Sequence, residues 1–118
     1  MNNLKYSIIY AVIRPEISEK LSVGLIIVDG DQVDVRYSSH KLNVLQGLFP
    51  EKEHEFVAKV VRSLNKSVDS VEAIDYLTRY SNNLIAVSPL QSINIKPTQQ
   101  NKDWLYRNYV YAGKSLAQ

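Results

Sequence analysis

The sequence predicts a single α+β domain, with a mainly antiparallel sheet of four or five strands and helices on one face. Three observations lead to this prediction. The first 38 residues contain three β-branched segments, the apolar period then lengthens to three or four, and short strand-like segments return after residue 84. The 118 residues suffice for one hydrophobic core, so we expect residues 1–118 to form one domain.

The composition is that of a globular protein, with 45% hydrophobic and 22% charged residues. Cysteine is absent, which excludes disulfides, thiolate metal sites and a cysteine nucleophile. No apolar run reaches the roughly 18 residues that a membrane-spanning helix needs. The first residues alternate in polarity and lack the apolar block of a signal peptide. We therefore expect a cytoplasmic protein without a membrane partner.

The first predicted strand, residues 4–14, is rich in β-branched and tyrosine side chains and ends at Pro15. Because both of its faces are apolar, we expect it to lie centrally in the sheet, covered on two sides. A polar connector, residues 16–20, leads to a second strand at residues 21–28. The third strand, residues 32–38, alternates cleanly between apolar and polar side chains.

The stretch VDGDQVD, residues 28–34, holds three aspartates and suggests either a metal-binding loop or a turn between two strands. Its glycine is not at the sixth place that a calcium loop requires, so we interpret it as a turn. A three-residue loop, Val28-Asp29-Gly30, would pair Val33 with Leu25. The same register pairs Val35 with Val23 and Tyr37 with Leu21, and it is the register we predict.

Gly24 lies inside the second strand. A glycine there indicates either a β-bulge or the close approach of another group, and we interpret it as close packing.

The apolar period indicates helices after residue 38. Ser39 is the predicted cap of a short helix that ends before Pro50, with Leu42, Leu45 and Leu48-Phe49 on its buried side. A longer helix begins at Glu51, with an acidic first turn and an apolar stripe. The predicted stripe consists of Phe56, Val57, Val60, Val61 and Leu64. We predict further elements at residues 68–80 (helix), 84–88 and 92–96 (strands) and about 100–113 (helix).

A search for catalytic or metal-binding motifs finds no constellation that would name a reaction. The two histidines, His40 and His54, lack partners at ligand spacing, and we expect them at the surface. The carboxylates of Glu51, Glu53 and Glu55 diverge around a helix, where they suit the positive helix end better than a cleft. No phosphate-binding glycine loop or nucleophile elbow occurs. We predict no catalytic residues, cofactor or metal, and the enzyme class has no positive support.

The C-terminal segment KDWLYRNYVYAGK, residues 102–114, carries more aromatic surface than one buried helix face needs. Trp104 lies one turn before Arg107, and Arg107 and Tyr111 are four residues apart. Tryptophan, tyrosine and arginine are the residues that protein interfaces favour at hot spots. The alternatives are an amphipathic helix packed on the sheet, a partner-binding surface, or a nucleic-acid surface. The candidate partner surface is Trp104, Arg107 and Tyr111.

Charge is distributed unevenly along the chain. Residues 1–76 hold nine Lys/Arg against eleven Asp/Glu, whereas residues 77–118 hold five cations against one aspartate. The five cations are Arg79, Lys96, Lys102, Arg107 and Lys114. This basic third could face an acidic protein or nucleic acid, although a solvated surface accounts for so sparse a set of charges.

Three segments resemble a family of small bacterial proteins without an assigned function: EKLSVGLII (residues 19–27), RYSSHKLNVLQGLFP (residues 36–50) and DWLYRNYVYA (residues 103–112). Family members open with a tyrosine-rich strand, continue with a glutamate and an apolar V-G-V strand, and close with a helix of similar pattern. The family usually has asparagine where this chain has Ser22. Its genes often neighbour one for a HipA-like kinase. The resemblance therefore implies an accessory role beside such a kinase, in a toxin–antitoxin-like or phage-related system.

Overall fold

A computed structural model describes residues 4–67, 74 and 84–110 of the chain. The strands are β1 (Leu4–Arg14), β2 (Glu19–Asp29), β3 (Gln32–Tyr37), β4 (Ile85–Val87) and β5 (Gln91–Ile93). The helices are α1 (Ser39–Val44), α2 (Glu51–Ser67) and α3 (Gln99–Tyr109). The predicted α+β class and antiparallel sheet are confirmed, because all five strands join one sheet and every pairing is antiparallel.

β1 lies at the centre of the sheet, as its two apolar faces predict. The strand order is β3-β2-β1-β4, and β5 also pairs with β1. β4 pairs with residues 9–11 of β1, and β5 pairs with residues 4–6, so two short strands share one side of β1. This arrangement leaves β3 at the end of the sheet.

Both faces of the sheet are covered by helices. One face packs against α1 and α2 through a core formed mainly by Ile9, Ala11, Val23, Ile26, Val28, Leu42, Leu45, Val57, Val61, Leu64, Ile85 and Val87. The other packs against α3 through Leu4, Leu25, Ile27, Leu105 and Val110. We expected the helices on one face, and α1 and α2 lie there. α3 takes the opposite face because Leu25 and Ile27 alternate with Ile26 and Val28, so β2 is apolar on both sides.

A β-bulge at Val23 displaces the register between β1 and β2. Ile9 pairs with Gly24, but the next residue, Tyr10, pairs with Ser22, so Val23 is the extra residue. Gly24 is also tightly packed, as its position in the strand suggested. A Cβ added there would lie 2.9 Å from Ile9 Cδ1 and 3.0 Å from the Arg36 carbonyl oxygen. A side chain at residue 24 would therefore require β1 or β3 to shift.

The predicted three-residue loop between β2 and β3 is wrong, although the segment is a turn as predicted. Val28 pairs with Val33 and Asp29 with Gln32, which leaves the two-residue loop Gly30-Asp31. Gly30 has a φ of 61°, which suits the first position of a two-residue hairpin loop. The prediction failed because β2 is apolar on both faces, so the apolar pattern did not select one register.

Several side chains near α1 and α2 lie elsewhere than predicted. The cap of α1 is Ser38 rather than Ser39, and its hydroxyl accepts a hydrogen bond from the Lys41 backbone N–H at 3.1 Å. Leu48 and Phe56, assigned to the buried sides, are 51% and 45% exposed. A 3-10 turn at Leu45–Gly47 changes the direction of the side chains that follow α1, and Phe56 lies at the margin of the stripe on Val57 and Val61.

The predicted helix at residues 68–80 lies outside the described residues, except for Ile74, which is buried in the core. None of the described helices has the length and apolar character that crossing a bilayer requires.

The close packing at Gly24 predicts that Gly24→Ala lowers the free energy of unfolding by about 1–3 kcal/mol, the usual cost of overpacking. Gly47→Ala is the matched control, because a Cβ there meets open space. It should be neutral or stabilise by up to about 1 kcal/mol. Urea denaturation of both variants checks this, and equal stabilities would contradict the close approach of the three strands.

Candidate functional site

The inner side of α3 is attached to the sheet by buried and aromatic contacts. The helix begins after Thr98, whose hydroxyl caps it by accepting from the Asn101 backbone N–H at 3.1 Å. Leu105 is fully buried against β1 and β2. The rings of Tyr109 and Tyr6 stack with centroids 5.2 Å apart, and the Tyr106 hydroxyl donates to the Tyr37 carbonyl oxygen at 3.0 Å.

Ion pairs hold the same helix over β2 and β3. Arg36 Nη1 donates to Asp103 at 2.8 Å, and Arg36 Nε donates to Asp34 at 3.0 Å. Lys102 Nζ lies 3.2 Å from the Asp29 carboxylate. The Arg36–Asp103 and Lys102–Asp29 pairs join the β2–β3 hairpin to α3, whereas Asp34 and Arg36 are both on β3. The hairpin and the first turns of α3 therefore form one connected unit.

The protonation of Arg36 and Asp103 reflects this contact. Burial opposes the charge of Arg36, but hydrogen bonds to Asp103 and Asp34 outweigh it, and the pKa of the guanidinium is raised. The pKa of Asp103 is lowered, first by the hydrogen bond from Arg36 and then by one from Gln99. Both residues are thus held in their charged forms.

Ser22 links β2 to α1 and α3. Its hydroxyl donates to the Tyr109 carbonyl oxygen at 2.7 Å, next to the end of α3. Lys41 Nζ donates to the Ser22 carbonyl oxygen at 2.9 Å and lies 3.1 Å from the hydroxyl. Burial lowers the pKa of Lys41. These hydrogen bonds join β2 to α1 and to the end of α3.

The outer side of α3 carries two of the three residues that the sequence indicated. Trp104 is 44% exposed, and Arg107 is exposed one turn further along. Tyr111 lies outside the described residues. A shallow depression of about 210 Å³ opens beside Arg107 and is lined by Arg36, Asp103, Tyr106 and Arg107. Trp104 and Arg107 together are called the outer α3 surface below.

The histidines and the acidic residues of α2 do not form a candidate site in the described residues. His40 is exposed, as predicted, but His54 is half-buried, and its Nε2 lies 2.8 Å from the Leu42 carbonyl oxygen. Since a carbonyl only accepts, Nε2 carries the proton and joins α2 to α1. Glu51 and Glu53 lie in the first turn of α2. Across residues 4–67, 74 and 84–110, no three acidic or histidine side chains gather as a metal site.

Sequence reasoning missed the residues that position α3. The alternation along β3 predicts a solvent-exposed face for Arg36, but its side chain is only 21% exposed and contacts Asp103 of α3, which follows it by 67 residues. A single sequence gives no signal for such a distant ion pair. The sequence shows that α3 is rich in aromatic residues. It does not show that Tyr106 and Tyr109 face the sheet while Trp104 faces outward, because that depends on how the helix packs.

Comparison with protein-family models, with curated proteins and with solved structures finds no match for this chain.

The ion pair predicts a measurable change in the pKa of Asp103. In Arg36→Gln the Asp103 carboxylate loses its main stabilising donor, so its pKa should rise toward the ordinary value of 3.8. Carboxyl-detected NMR titration of both proteins measures this directly. Because the folded-state pKa is depressed, the stabilisation is present above the unfolded-state pKa and is lost as pH falls through the folded-state value. An identical Asp103 midpoint in both proteins would contradict the contact.

Proposed function

We propose that this chain is a small cytoplasmic accessory protein that binds a partner protein through the outer α3 surface. The observation that carries the proposal is the exposed indole of Trp104 on a helix whose opposite side is fixed to the sheet. A rigid aromatic side chain beside an arginine loses little conformational entropy on binding, and both residue types are enriched at interface hot spots. Tyr111 belongs to the proposal on sequence grounds alone.

The family resemblance supports a HipA-like kinase as the partner, with the chain acting in a toxin–antitoxin-like or phage-related system. Gene neighbourhood is the source of that inference, and the contacts described above neither require nor oppose it. The chemistry of the surface independently favours a partner with an apolar pocket for the indole and a carboxylate for Arg107.

The basic C-terminal third gives weaker support to nucleic-acid binding. Lys102 is 15% exposed and paired with Asp29, so it is not available to a phosphate without losing that partner. Lys96 and Arg107 are exposed, and Arg79 and Lys114 lie outside the described residues. Two exposed cations are few for binding a polyanion such as a nucleic acid. We therefore keep nucleic acid as an outcome of the test.

The test is co-purification of the tagged chain from its own host, with and without nuclease, followed by the variant Trp104→Ala/Arg107→Ala. We expect a stoichiometric protein partner that survives nuclease and whose recovery falls about tenfold or more in the variant, as loss of two hot-spot residues implies. A HipA-like kinase among the partners would support the family inference.

Phe56→Ala is the matched control, because Phe56 is 45% exposed on α2, where α2 covers the opposite face of the sheet. It should leave recovery unchanged. Full recovery with Trp104→Ala/Arg107→Ala, provided circular dichroism shows it folded, would exclude the outer α3 surface. Partners that vanish with nuclease would favour nucleic acid instead.

A further inference from the structure

Within the described part of the chain, β3 ends the sheet order, with β2 on its inner side and no strand on its outer side. An unpaired strand edge presents backbone donors and acceptors that can pair with another chain. β3 is six residues long, Gln32–Tyr37, which is an ordinary length for a paired strand.

The backbone groups that point outward can be identified. The Arg36 carbonyl oxygen lies beside Gly24 of β2, so residue 36 directs its backbone inward. Because N–H and C=O alternate in direction along an antiparallel strand, those of Val33 and Val35 point away from β2. The Tyr37 carbonyl, which points the same way, is reached by the Tyr106 hydroxyl. Val33 and Val35 therefore offer two donors and two acceptors at this edge.

A cavity of about 450 Å³ lies between α3 and the hairpin, lined by Ile27 and Asp29 of β2, by Gln32, Val33 and Asp34 of β3, and by Gln99 and Lys102 of α3. It therefore opens on the face of the hairpin that α3 covers.

The side chains of β3 are complementary to a second copy of the same strand. In an antiparallel pairing centred on Val35, Asp34 faces Arg36 of the partner subunit, and the symmetric contact repeats on the other side. Val33 then faces Tyr37 of the partner subunit, a β-branched and aromatic pair of the kind that stabilises sheets. This register also joins outward-pointing residues to each other, as the hydrogen-bond pattern requires.

Neighbouring registers are unfavourable. A pairing centred on residue 34 places two aspartates opposite each other, and one centred on residue 36 places two arginines opposite each other, which is destabilising. Arg36 has donors for the new contact, because its hydrogen bonds to Asp34 and Asp103 use Nε and Nη1 of a five-donor guanidinium.

We propose that two copies of this chain pair antiparallel through their β3 edges, centred on Val35, so that the two sheets become continuous. The two-fold axis is perpendicular to the sheet, which places both α3 helices on the same face of the dimer. The dimer would present its two outer α3 surfaces to one side. This inference stands on β3 alone and is independent of the proposed partner.

Sedimentation equilibrium over a wide range of protein concentration tests the proposal. The wild-type chain should shift from 13.5 kDa toward twice that mass as concentration rises. Asp34→Arg sets arginine against arginine in both symmetric contacts, and we expect it to weaken dimerisation about tenfold or more. Glu16→Arg, the same charge change at an exposed residue outside β3, is the control and should dimerise like the wild type.

A mixing experiment tests the register. Arg36→Asp alone should also be monomeric, but mixed with Asp34→Arg it should form a heterodimer, because each arginine of one chain then faces an aspartate of the other. The comparison of Asp34→Arg with Glu16→Arg decides the outcome if Arg36→Asp fails to fold. A wild-type chain that stays at 13.5 kDa, an Asp34→Arg variant that dimerises as tightly as the wild type, or two folded variants that do not associate on mixing would overturn the proposal.

Discussion

The packing of α3 across the β1–β2 face is the constraint on which the candidate surface depends. A helix of 11 residues is marginal by itself, so its position must come from tertiary contacts. Three contacts hold the helix: the burial of Leu105, the stacking of Tyr109 on Tyr6 and the Arg36–Asp103 ion pair. The same contacts that hold the inner side fix the direction in which Trp104 points.

That packing is made necessary by β2. Its side chains are apolar on both faces, so a sheet covered on one face alone would leave Leu25 and Ile27 in water, at a cost of about 1.5–3 kcal/mol for each side chain. The bulge at Val23 and the close packing of Gly24 adapt β2 to its neighbours on either side. The hairpin of β2 and β3 contributes to both cores and also forms one edge of the sheet in the described residues.

The sequence predicted the elements with strong local periodicity and missed the features set by distant contacts. β1 was predicted with its observed bounds because Pro15 and the β-branched run mark it clearly, and α2 was predicted to begin at Glu51, as observed. The β2–β3 register was missed because a two-sided apolar strand fits more than one pairing. Of the candidate site, exposed Trp104 and Arg107 were found from composition, whereas Arg36 and Asp103 meet only in the folded chain.

Leu105 and Trp104 are adjacent on α3, and we propose opposite roles for them, with Leu105 holding the fold and Trp104 available to a partner. The free energies of unfolding of two single variants test this division. Leu105→Ala should cost about 2–5 kcal/mol, the range for deleting a fully buried leucine side chain. Trp104→Ala should cost about 1 kcal/mol or less, as expected for an exposed position. Equal losses, or a larger loss for Trp104→Ala, would show that the indole belongs to the core and is not available to a partner.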